Sequence, residues 1–381
     1  MYDRWIRAAA NGKISGVVLI DLSAAFDLVD HQLLIQKMRI YGFQEDMLEW
    51  IGSYLGSRHQ AVWIDHVLSD YLEYNIRVPQ GSILGPLFFL IYSNDLPDTV
   101  ESCIDSYADD TTVTAAGNNV AELEKQLTED CSRISTWMQS NRLKLNPEKT
   151  HVLLMGSQRR LSSINETLKV KMNDVVLMQS TNSENLLGCS IQSNLKWQSQ
   201  VSTLSSKLHR RLNVLSLLKH SCPFYIRKMI AEGIFNGVLM NCLPLYGGLD
   251  KSNIKKIQIL QNKAARIVCQ VPSFAHRSPL FKKLGWLTVN QLVTYHSLVV
   301  LQKIRLSREP EYLTGLLTRD SRNGRIMVTN THLGLALNSF CYRGPNEWNN
   351  LPSFLRSETN IRTFKRELKT WILNNVDQFT E

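Results

Sequence analysis

Tyr107-Ala108-Asp109-Asp110 is the stretch whose reading decides the fold of this chain. It stands between two short runs that read as strands, Ser102-Cys103-Ile104-Asp105-Ser106 and Thr111-Thr112-Val113-Thr114-Ala115. Adjacent carboxylates on a tight hairpin repel, and one of them tends to keep its proton. A divalent cation relieves that repulsion, and hard oxygen ligands are what magnesium prefers. A third carboxylate lies upstream, where the apolar run Gly16-Val17-Val18-Leu19-Ile20 reads as a buried central strand and ends in Asp21. An acidic residue at a strand end beside an acidic hairpin suits two-metal phosphoryl transfer. An Asp-Asp pair alone is most often a solvated turn, so the order of the surrounding segments carries the weight.

Ile20-Asp21-Leu22-Ser23-Ala24-Ala25-Phe26-Asp27 comes first. Val78-Pro79-Gln80-Gly81-Ser82-Ile83-Leu84-Gly85-Pro86-Leu87 follows, then the acidic hairpin. Leu145-Asn146-Pro147-Glu148-Lys149-Thr150 and Asn185-Leu186-Leu187-Gly188 complete the series. The succession resembles palm motifs A to E of reverse transcriptases, in the wording of the non-LTR (LINE-type, jockey-like) retrotransposon enzymes. It runs from about Gly16 to the C-terminus.

The resemblance implies an α+β palm, an antiparallel sheet backed by helices, with helical thumb-like and C-terminal regions after it. It assigns metal binding to Asp21, Asp109, Asp110 and the backbone carbonyl of Leu22, with two magnesium ions, manganese being the substitute. Asp21 and Asp109 would bridge both ions, with Asp110 more peripheral. Phe26 falls where these enzymes carry an aromatic gate, a ring whose volume leaves no room for a ribose 2′-hydroxyl; the plain alternative is a core phenylalanine. Gln80 would touch the template side of the nascent pair, and Gly81 allows a close backbone approach. Tyr107 completes the substrate-binding set. Lys149 would supply a proton or positive charge to departing pyrophosphate, against the plain reading of an exposed lysine. The Leu187-Gly188-Cys189 hairpin matches the segment that grips the primer end. One departure stands out: relatives usually have Gly-Val-Pro-Gln-Gly, and this chain has Arg77 in the first position. If that position needs positive φ, an arginine there is strained. His31 also occurs in the family pattern, but capping or packing suits it better than catalysis.

With 381 residues, 44% of them hydrophobic and 20% charged, the chain has room for more than one core. Its longest apolar stretch, Ile83 to Tyr92, is far too short to span a bilayer. No basic region leads into an apolar one at the N-terminus, so the expectation is an intracellular protein, nuclear or cytoplasmic, without a membrane partner. Seven scattered cysteines, none in a C-x-x-C pair, read as reduced and mostly buried thiols. Charge is divided: residues 1–200 carry 17 Lys and Arg against 24 Asp and Glu, a balance of −7, and residues 201–381 carry 26 against 10, a balance of +16. An acidic half suited to cations is joined to a basic half suited to a polyanion.

Asp30 is placed to cap a helix that Gly42 ends, and Leu48, Ile51 and Leu55 mark a second helix. Gln60–Ile64 and Leu72–Val78 read as strands, and Ile83–Tyr92 as a helix. Val120 to Met138 keeps helical period, and His151–Met155 returns as a strand. Residues 156–181 are poorly patterned, with short strands near Leu168–Met172 and Val175–Met178. Two amphipathic helices follow, the Leu204-to-Leu218 stripe and Ile254–Val268. Trp286, Tyr295, Tyr342-Arg343 and Trp348 sit among basic residues, with core packing favoured over base stacking. The expected domains are a palm at 1–180, a primer-grip hairpin and helical thumb at 181–270, and a mostly helical C-terminal domain at 271–381.

The expected activity is RNA-directed DNA polymerisation, with an RNA template, a DNA primer and deoxynucleoside triphosphates as partners. Only fifteen residues precede Gly16, so an endonuclease and most of the fingers are expected to be missing. The rival expectation is a catalytically silent retrotransposon remnant that binds nucleic acid. An RNA-synthesising palm enzyme is the third, and Phe26 argues against it.

Overall fold

The computed structural model describes residues 1–173, 175–180, 182–317, 324–328, 334–337 and 339–375. The chain folds as two compact units, one formed by residues 12–182 and the other by Tyr2–Asn11 together with Ser183 onward.

The first unit is built on a five-stranded sheet: β1 (Ile14–Ile20), β2 (Cys103–Tyr107), β3 (Asp110–Gly117), β4 (His151–Met155) and β5 (Met178–Gln179), in the spatial order β5-β4-β1-β3-β2. Every pairing is antiparallel except that of β4 with β5. β1 is central and nearly all buried, which explains its unbroken apolar run. Gly16 is required by packing: a Cβ there would come within 2.6 Å of the Leu127 side chain. That close approach lets a long helix, Val120–Ser140, lie on the sheet and bury Leu123, Leu127, Cys131, Ile134 and Met138. Asn119 caps it by accepting from the Glu122 amide at 2.8 Å.

His31–Ile40, Glu45–Leu55 and Gly85–Ser93 are the remaining longer helices of this unit. Asp30 caps the first, accepting from the Leu33 amide at 3.0 Å, and Gly42 stands just beyond its end at φ +87°. His31 is a packing residue here, its Nε2 2.8 Å from the Arg77 carbonyl oxygen. The run read as one strand over Gln60–Ile64 is two short ones, Arg58–Gln60 and Trp63–Ile64, and the latter turns back on Val67–Leu68 through Asp65 and His66, both at positive φ. The strand read over Leu72–Val78 ends at Tyr74; Ile76 makes a single bridge to Asp30, and Arg77 follows at φ +85°. A short helix, Gln158–Ser162, occupies part of the poorly patterned segment.

In the second unit the helix Tyr2–Ala10 is joined by a hairpin, Ser183–Leu186 paired with Cys189–Gln192, whose two turn residues Leu187 and Gly188 both have positive φ. Such a turn matches the right-handed twist of the strands. We label its helices α1 (Gln198–Leu217), α2 (Phe224–Ala231), α3 (Lys251–Cys269), α4 (Arg277–Leu284), α5 (Val289–Ser307), α6 (Phe340–Asn349) and α7 (Ile361–Asn374). Leu204, Leu208, Leu212 and Leu215 of α1 are buried, as their spacing predicts. Trp286 and Trp348 are interior residues; Trp348 packs on Phe364 and lies under the Arg305 guanidinium. Cys189 and Cys242 are paired as a disulfide, which corrects the expectation of seven reduced thiols. The hairpin turn brings Asn241 close to Gly188, and so the neighbouring Cys242 to Cys189, across 53 residues of sequence. Cys131 and Cys341 are buried free thiols, and burial pushes both up to about 12. Among the described residues, no helix is long and apolar enough to cross a membrane.

Candidate active site

The sheet register assembles the acidic cluster. Ile20 stands opposite Thr111, and Tyr107 opposite Asp110. Asp21, one residue beyond β1, is therefore carried to the end of the sheet where β3 begins with Asp110. The turn between β2 and β3 is Ala108-Asp109, with Ala108 at φ +54°. Burial, then the charges of Asp109 and Asp21, raise the Asp110 carboxyl above its ordinary range. Asp110 thus senses both neighbouring carboxylates, although it and Tyr107 face solvent.

Asp21 is held by its backbone. Its amide donates to the Thr150 hydroxyl at 3.3 Å, and its carbonyl accepts from the Asn146 amide at 2.9 Å. Thr150, fully buried, also donates to the Asn146 carbonyl at 2.8 Å. The turn from Asn146 to Thr150 is thereby fixed to the end of β1, and exposed Lys149 rides on that turn. Leu22 pairs with Leu145 in a short ladder beside it. On the other side, buried Asp130 accepts from the Glu101 and Ser102 amides at 3.0 and 3.1 Å, anchoring the entry to β2.

Phe26 lies in the 3-10 turn Ala25–Asp27, partly buried, with its ring 4.9 Å from that of Phe89. Its carbonyl accepts from the Val78 amide at 2.9 Å, which joins the Asp21 segment to the Gln80 loop. Side chains join them as well. Arg77 lies 3.1 Å from Asp27 as an ion pair, and Gln80 Nε2 donates to both Asp27 oxygens at 3.3 and 3.2 Å. Arg77 also bonds Gln60 and covers the Tyr74 ring. Gly81 adopts φ +79°, and nothing lies within 4 Å of a Cβ there, so backbone conformation is the reason for this glycine.

The sheet register carries Asp21 to the end of the sheet where the Asp109-Asp110 hairpin lies, near enough for its charge to act on Asp110, and Asp27 links the Phe26 turn to Gln80. Lys149 is tied to Asp21 only through the backbone turn. Sequence reasoning passed over Asp27, Thr150 and Asp130. Asp27 had a legible signal as the acid beside Phe26, but its partner Arg77 lies fifty residues away. The site's donors are hard oxygens, the chemistry a divalent cation prefers. Among the described residues, no three His, Cys, Asp or Glu side chains form a group that could hold a metal ion.

An antiparallel sheet with paired helices, an acidic hairpin and a third aspartate at the end of the adjacent central strand define a nucleic-acid polymerase palm. The chain belongs to the reverse transcriptase (RNA-dependent DNA polymerase) family, whose model matches residues 5–207. It is 25% identical, over 77% of its length, to the probable RNA-directed DNA polymerase from transposon BS of Drosophila melanogaster, covering 33% of that protein. It is 24% identical, over 70% of its length, to the RNA-directed DNA polymerase from mobile element jockey of the same fly, covering 30%. The chain spans about a third of the length of these relatives. Among solved structures, a telomerase from Candida tropicalis aligns at 13% identity and a TM-score of 0.39, over 74% of this chain and 52% of that one. Reverse transcriptases generally use divalent metal ions.

Proposed function

We propose that this chain is the polymerase portion of a non-LTR retrotransposon reverse transcriptase, acting in the nucleus or cytoplasm on an RNA template and a DNA primer. Deoxynucleoside triphosphates are its substrates. The observation that carries the reading is the sheet register that brings Asp21, at the end of β1, to the end of the sheet where the Asp109-Asp110 hairpin joins β2 to β3. Asp21, Asp109, Asp110 and the Leu22 carbonyl are the residues that would hold two magnesium ions. When bound, such ions lower the pKa of a primer 3′-hydroxyl and neutralise charge on a triphosphate.

The chain's own groups supply orientation. The Asn146–Thr150 turn fixes the height of Asp21 relative to the hairpin. Phe26, braced on Phe89, limits the volume beneath an incoming sugar. Asp27 holds Gln80 toward the same edge, where the amide orients the template side of a base pair. Lys149 supplies positive charge near leaving pyrophosphate.

One observation favours the rival reading, a silent nucleic-acid-binding remnant: Arg77 sits at φ +85°, strained, in the loop carrying Gln80. A titration with Mn2+ followed by electron paramagnetic resonance tests the metal site on which the polymerase reading rests. Binding that is lost in Asp110→Asn and Asp21→Asn variants supports the polymerase site; binding equal in all three proteins refutes it.

A further inference from the structure

The second unit contains a groove of about 540 Å³ that the polymerase chemistry does not use. Its walls come from α3, α4 and the start of α5, and it shares no residue with the aspartate cluster. Lys251 and Lys255 lie on one side, Arg277 and Lys282 on another, and all four are exposed. No carboxylate lines it. Among the described residues, none of these four cations forms an ion pair, whereas Arg343, Lys37 and Arg133 elsewhere all do. Four unneutralised cations around one concavity attract phosphate strongly.

The floor is rigid and partly apolar. Phe281 and Trp286 are buried beneath it with rings edge to face, and Trp286 Nε1 is fixed by donating to Glu232 at 3.1 Å. The two glutamines of the lining are committed to the fold. Gln258 accepts from the Val289 amide at 2.8 Å and donates to Gln261 and Asn262, and Gln291 completes the capping box that starts α5. These bonds fix α3, which carries Lys251 and Lys255, to the start of α5, so little ordering of that wall is needed when a ligand arrives. A positively charged groove that tracks the sugar-phosphate backbone is how proteins hold an unpaired nucleic-acid strand without reading its sequence.

We propose that this groove is a single-strand nucleic-acid site, binding the phosphodiester backbone through Lys251, Lys255, Arg277 and Lys282. The shared chemistry is the phosphodiester of RNA or DNA. It goes beyond the polymerase reading and does not depend on it.

The test is fluorescence anisotropy of the full chain with labelled oligouridylate and oligothymidylate of roughly 16 nucleotides. A chelator is present throughout, so that the result is independent of the aspartates. A variant carrying Lys251→Gln, Lys255→Gln, Arg277→Gln and Lys282→Gln is compared with wild type. A control carrying Arg159→Gln, Lys125→Gln, Lys169→Gln and Lys171→Gln loses the same charge from the first unit. The groove variant is expected to bind at least about tenfold more weakly, with its salt slope reduced by about 0.7 for each cation removed. A loss with one strand type alone still supports the site and assigns the strand. Equal losses in the groove and control variants would reduce the effect to bulk charge and overturn the proposal. Unchanged strand binding with lost binding to phosphatidylserine vesicles would overturn it in favour of a membrane surface.

Discussion

Arg77 reaches Asp27 at 3.1 Å from a backbone in the left-handed region, at φ +85°. The ion pair thus joins the loop before Gln80 to the residue that follows Phe26. An L side chain at such φ is disfavoured by about 1 kcal/mol or more, and a half-exposed ion pair returns about 1 kcal/mol at most. Conformation therefore outweighs charge. Arg77→Gly is expected to be about 1 kcal/mol more stable than Arg77→Ala in urea unfolding, because both lose the ion pair and only glycine relieves the strain. Equal stabilities would show that position 77 is not strained.

Thr150 is the buried link between the end of β1 and the Lys149 turn. Thr150→Val keeps the shape and removes the hydroxyl, leaving the Asp21 amide without its partner. Destabilisation of about 1–3 kcal/mol is expected, the penalty of an unsatisfied buried group. Primer-extension rate should fall with KM for deoxynucleotide nearly unchanged, since the displaced group is Asp21. A variant as stable and as fast as wild type would remove Thr150 from the positioning role.

His296 of α5 lies in a half-buried cleft with Glu232, Trp286 and Lys369, and its ring abuts Tyr295. Burial, then the charge of Lys365, lowers its pKa below the ordinary imidazole value. The unfolded chain therefore takes up this proton more readily than the folded one. Stability contributed by neutral His296 is present above about pH 6.5 and is lost as pH falls toward the depressed folded value. Urea unfolding at about pH 7.5 and 5.5 should show a steeper acid loss in wild type than in His296→Gln. Parallel losses would exclude His296 as a source.

Much of this architecture was readable because it is local. The alternation of apolar residues placed the Val120–Ser140 helix, Asp30 declared its own cap, and the two runs around Asp109-Asp110 folded as the hairpin their composition suggested. The reach of the Asp21 segment to that hairpin followed from a central strand ending in an acid. What escaped was non-local. The Asp27–Arg77 and Asp27–Gln80 contacts join positions some fifty residues apart, and the Cys189–Cys242 pairing spans 53. Neither leaves a periodic trace. The short strands after Leu55 were blurred because Asp65, His66 and Arg77 take positive φ, a conformation that residue type alone seldom announces. Nor did charge counting single out the groove, since the same lysines on a convex face would count equally.

The proposed polymerising centre of Asp21, Asp109 and Asp110 is open to direct test. Primer extension by the purified chain on poly(rA)/oligo(dT) with magnesium, beside an Asp109→Ala, Asp110→Ala double variant, tests it most directly. Wild type is expected to incorporate thymidylate and the double variant to lose that incorporation, with strand binding retained in both. Binding without incorporation by wild type, unchanged by the double substitution, would contradict it and identify a chain that holds nucleic acid without copying it.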